Sequence, residues 1–99
     1  MVRLSIHLQE GFAGDEVIIE EGKHRIYHKR GVTTHPMLGL ADQLEQEFGD
    51  YPITLNVSVP DKGLSRTIEL KPGSPSNLAL SIQGGKLTYH LSETEFGYM

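Results

Sequence analysis

The sequence predicts an all-β fold: a single antiparallel two-sheet β-sandwich of seven or eight short strands spanning residues 1–99. Three observations predict it. Apolar residues recur at every second position through most of the chain, which is the period of a half-buried strand. Gly and Pro, 11 and 5 of them, fall between those alternating runs as punctuation. The length is that of one domain, enough for one core and no second. Each strand then has one apolar and one polar face, and two sheets stacked about 10 Å apart hide both apolar faces against each other.

The elements follow in order. In VRLSIHL, residues 2–8, Val2, Leu4, Ile6 and Leu8 share one face and Arg3, Ser5 and His7 the other. QEGFAGD reads as a loop broken by Gly11 and Gly14. EVIIE is a short strand, and EEGK is a tight turn in which Gly22 supplies a positive φ. The strand returning from that turn is KHRIYHKR. Residues 40–48 fit two templates: Leu40, Leu44 and Phe48 suit a helical stripe and also alternate strand positions. Propensity favours a short helix, but the neighbouring strands favour a strand, and strand is the reading adopted. ITLNVSV, SRTIEL, LALSI and KLTYHL complete the set, separated by PDKG, KPGSPSN and the two-glycine turn QGGK.

Composition narrows the function classes. Thirteen acidic against nine basic residues give a net charge of −4, which argues against a general nucleic-acid binder. No run approaches the roughly 18 apolar residues of a membrane span, and the N-terminus alternates where a signal peptide would be continuously apolar. With no cysteine, the chain fits a reducing, cytoplasmic setting. No phosphate loop, dinucleotide fingerprint or nucleophile elbow is present, and no cofactor is expected.

Six of the eight residues 23–30 are Lys, Arg or His. On a strand, His24, Ile26 and His28 share one face and Arg25, Tyr27 and Lys29 the other. His24 and His28 then stand about 13 Å apart, too far to share a metal ion unless the strand bulges. Two uses remain. Positive charge on an edge strand discourages sheet-to-sheet aggregation, which ranks first. Arg25, His28, Lys29 and Arg30 could instead contact an anion or an acidic partner.

The segment GVTTHPMLGLADQLEQEFGDYPITLNVSVPDKG resembles the core of transthyretin-like (prealbumin-like) domains, including carboxypeptidase regulatory-like modules. Thr33, Thr34, Gly39, Gly49, Tyr51 and the strand 53–59 take the places of that family's Thr-rich turn, Gly and Gly-x-Tyr corner. Pro52 departs from the pattern. The resemblance implies a sandwich that serves as an adhesion, assembly or regulatory unit. One branch of the superfamily, the tetrameric 5-hydroxyisourate hydrolases, is catalytic and uses an early and a late histidine. His7 and His90 match that placement, whereas the tail EFGYM lacks the branch's Arg-Gly-Ser.

Read from the residues alone, His7 and His90 point away from the apolar faces and would approach each other if the first and last strands paired. Two imidazoles with a nearby Glu could hold Zn²⁺, but no third ligand stands at diagnostic spacing, and solvated histidines are commoner. The chain closes on Phe96, Tyr98 and Met99 behind Gly97. Such a tail either covers an open end of the sandwich or docks as an aromatic anchor into a neighbouring subunit. The expectation is a non-catalytic interaction or assembly module that binds a protein partner or itself. The alternative is a small hydrolase or ligand-binding protein using His7 and His90.

Overall fold

In a computed structural model, which describes residues 1–94 and 96, eight strands appear: β1 (Val2–Leu8), β2 (Ala13–Glu21), β3 (His24–Thr33), β4 (Asp42–Phe48), β5 (Ile53–Val59), β6 (Leu64–Leu70), β7 (Asn77–Gln83) and β8 (Lys86–Ser92). The one helical turn among the described residues is the 3-10 turn Pro60–Lys62. No helix of the described chain is long and apolar enough to cross a membrane. The strands form two four-stranded sheets, ordered β4-β1-β7-β8 and β3-β2-β5-β6. Glu95, Gly97, Tyr98 and Met99 lie outside the described residues, so the expectations placed on the last two are not addressed.

The alternating residues face inward as expected. Leu4, Ile6 and Leu8 of β1, Leu55 and Val57 of β5, and Leu78 and Leu80 of β7 are almost wholly buried in one cluster. Val17, Ile19, Ile68 and Leu70 complete its middle. Segment 40–48 settles as the strand β4 over Asp42–Phe48. Leu44 and Phe48 lie opposite Ile6 and Val2 of β1. Pairing with β1 satisfies backbone groups along the whole strand, and that outweighs a few tenths of a kcal/mol of helix propensity per residue.

The structure corrects two expectations. The sandwich is not purely antiparallel: β1 and β7 run parallel through Ser5–Leu8 and Asn77–Leu80. Loop 71–76 carries the chain from one sheet to the other and brings the start of β7, Asn77, level with Ser5 in the middle of β1. Gly14 does not break the chain, because β2 already begins at Ala13. Gly14 sits where the β2–β3 register shifts, with a φ of 72°. Phe12 lies in the loop as expected, yet it is 3% exposed and belongs to the core.

Each flank is latched differently. On the β3–β4 flank, Tyr27 Oη and Lys29 Nζ donate to Asp42 Oδ2 at 2.8 and 2.9 Å. On the β6–β8 flank, Arg66 donates to the Leu87 carbonyl at 3.3 Å, with its guanidinium 5.0 Å from the centre of the Tyr89 ring. At one end, Lys62 Nζ meets the buried Asp15 carboxylate at 2.8 Å and thereby ties the β5–β6 turn to β2.

Candidate functional site

Two regions hold the side chains that the sequence singles out. The first is the outer face of the β4-β1-β7-β8 sheet. His7 lies opposite Ala79 in the parallel pair, and Ala79 lies opposite His90 in the antiparallel pair. The first and last strands therefore do not pair. β7 separates them, and the two histidines share one row across Ala79. Gln43 of β4 extends that row on the other side of His7.

Phe96 comes down between them. Its ring is 5.1 Å from that of His7 in an edge-on arrangement and 6.2 Å from that of His90. Phe96 thus lies over the outer sheet face. His7, on a nominally polar face, is only 6% exposed, and Phe96 packs against it. Ser5 Oγ stands 3.0 Å from His7 Nε2. Beside this pair, an open groove of about 540 Å³ is lined by Ser81, Thr88, His90, Ser92, Thr94 and Phe96 among others.

A serine within 3.0 Å of an imidazole has the reach of a nucleophile and its base. The surroundings supply less. The Ser5 N–H donates to the Ser76 carbonyl at 2.9 Å. The β1 backbone is otherwise engaged with β4 and β7 on its two sides. A flat sheet face does not aim two spare N–H donors at a developing oxyanion. Among the described residues, no group of three or more His, Cys, Asp or Glu could hold a metal ion.

The second region is the basic strand β3, which is the edge of its sheet. The β2–β3 register shifts between Ile19 and Glu20, so Arg25 lies opposite Glu20 while Tyr27 lies opposite Ile19. That irregularity breaks the expected sharing of one face by Arg25, Tyr27 and Lys29. Tyr27 and Lys29 reach across to Asp42, whereas Arg25, His28 and Arg30 meet Glu20 and Glu16 of β2. His28 Nε2 is 2.6 Å from Glu16 Oε2, and Arg30 Nε is 3.5 Å from the same oxygen. His24 is exposed at the start of the strand.

These contacts set the local ionisation. Hydrogen bonding from His28, with help from Arg30, holds the Glu16 carboxyl below its ordinary range. Burial would raise Asp42, but donors from Lys29, Tyr27 and the Gln43 N–H outweigh it and the carboxyl is lowered. Burial and the neighbouring Asp42 push the Tyr27 hydroxyl far above its usual value. Asp15 is likewise raised by burial, and lowered on balance by the Ala13 N–H and Lys62.

Comparison of the chain with protein-family models, with curated proteins and with solved structures finds no match. The site therefore rests on its own geometry.

One feature carried no signal in the residue pattern. The connection from β3 to β4 is a compact turn closed by a bridge between His35 and Leu40. The Leu38 and Gly39 N–H groups donate to the His35 carbonyl at 3.1 and 2.9 Å, and the Met37 N–H donates to His35 Nδ1 at 3.2 Å. The turn holds Met37 and Leu38 in solvent at 81% and 41% exposure. His35 is thus a turn residue and takes no part in a histidine cluster with His24 or His28.

Proposed function

We propose that this chain is a non-catalytic β-sandwich module that acts by binding protein, either itself or a partner. The observation that carries the reading is the ordered turn 35–40, which presents Met37 and Leu38 to water. Large apolar side chains held out on a hydrogen-bonded turn are a common form of contact surface. The resemblance of residues 31–63 to transthyretin-like modules points the same way, and the composition fits a cytoplasmic setting. The test is affinity capture from cell extract with the wild-type chain and with the Met37→Ser, Leu38→Ser double variant as bait, alongside native mass spectrometry. Partners or self-association lost in the double variant support the reading. A wild-type chain that stays alone and monomeric while turning over a small metabolite defeats it.

A second reading has one observation in its favour: the 3.0 Å Ser5–His7 contact beside His90 and an open groove. It makes the sheet face a ligand or hydrolytic site that Phe96 partly fills. If replacing both histidines with Ala leaves turnover of an identified substrate unchanged, this reading is removed.

A further inference from the structure

We infer that the partner of the β3–β4 flank is a second copy of this chain. The two copies would be related by a two-fold axis parallel to the strands, with β3 of each beside β4 of the other. The inference rests on the module reading and specifies its partner. β3 and β4 are edge strands of different sheets, and both edges lie on one flank. Their charges are opposite. β3 carries Arg25, His28, Lys29 and Arg30 and no acid, while β4 carries Asp42, Glu45 and Glu47 and no base.

Two-fold symmetry leaves two simple ways to join such flanks. An axis along the sheet normal sets β3 against β3 and β4 against β4, so like charges meet. An axis along the strands exchanges the two sheets and sets each basic edge beside an acidic one, in both junctions at once. Because the two-fold preserves strand direction, and β3 and β4 run oppositely within one chain, the new neighbours are antiparallel. The outward faces also coincide. Arg25, His28 and Arg30 of one copy come alongside Glu45 and Glu47 of the other.

Within the chain, His28 is held to Glu16 at 2.6 Å and Glu45 to Arg3 at 2.5 Å, while Arg25 and Arg30 are more loosely engaged. The contacts of Arg25 and Arg30 with β2 are long, 3.4 and 3.5 Å, and their side chains are 50% and 82% exposed. Exposed pairs of this kind contribute little and exchange partners readily. Glu45 faces solvent on a 57% exposed side chain beside Arg3. The same charges that stop either edge from pairing with its own kind therefore select the complementary edge.

Analytical ultracentrifugation tests this with two charge-reversed chains, Arg25→Glu with Arg30→Glu and Glu45→Lys with Glu47→Lys. The wild-type chain is expected to form a concentration-dependent dimer that weakens on the order of tenfold between low and high salt. Each reversed chain alone should be monomeric, and an equimolar mixture of the two should dimerise, because both junctions are then complementary again. Circular dichroism verifies the fold. Should a reversed chain unfold, the matching Gln variants serve, with a weakened dimer expected. A dimer unaffected by reversal overturns the inference, as does a monomeric mixture or a wild-type chain that stays monomeric. In the last case, capture of a different protein that depends on Met37 and Leu38 leaves the module reading standing.

Discussion

Asp42 accepts from Tyr27, Lys29 and its neighbour's N–H, and it joins the edges of both sheets. Asp42→Ala removes all of that and leaves the half-buried Tyr27 hydroxyl without its acceptor. The expected loss is about 1–3 kcal/mol in urea unfolding. Asp42 and Asp15 also set the acid response. Both carboxyls are depressed in the fold relative to their ordinary value of 3.8. The unfolded chain then binds protons more readily, so their stabilisation is complete above that value and is lost as pH falls through the lower folded value. Thermal unfolding between about pH 5 and about pH 3 should show the midpoint falling, and less steeply in Asp42→Asn. Two glycines make a sharper contrast. A Cβ at Gly11, whose φ is 86°, would lie 2.0 Å from the Ile82 carbonyl oxygen, whereas one at Gly14, φ 72°, meets nothing within 4 Å. Gly14→Ala should cost about 1 kcal/mol for its left-handed backbone. Gly11→Ala must also displace backbone, and its melting temperature should fall several degrees further.

At the scale of elements, alternation was the legible signal. VRLSIHL reads as β1 with both ends right, because seven residues keep a strict period of two beside a loop. β3 was legible as an edge strand, but its irregularity was not. Nothing in KHRIYHKR indicates that Arg25 would oppose Glu20, since that depends on how β2 and β3 slip at Ile19. The candidate site was legible in part. His7 and His90 do share a row, but through β7, and Ser5 could be found only from its place two residues before His7. Phe96 was read as a cap or an anchor, and its position beside both imidazoles is one that no periodicity encodes. Phe96→Ala should leave the sandwich folded and uncover His7. Reaction of that imidazole with diethyl pyrocarbonate, followed by peptide mass mapping, should be several-fold faster than in the wild type.

Across the whole molecule, two stacked layers follow from arithmetic on apolar faces, and Leu80 stands at the centre with no exposure. Leu80→Ala should cost about 2–5 kcal/mol in chemical denaturation. Which strands adjoin is a different kind of information. The parallel β1–β7 pair depends on where loop 71–76 crosses between the sheets, which the apolar alternation does not specify. The two flanks also differ in what holds them shut. One clasp is a carboxylate that acid neutralises. The other is a guanidinium resting on a carbonyl and an aromatic ring, indifferent to acid. A sandwich built this way opens like a book as protons are added, with its spine along β6 and β8. Amide exchange at low pH should therefore begin along β3 and β4 and reach the spine last.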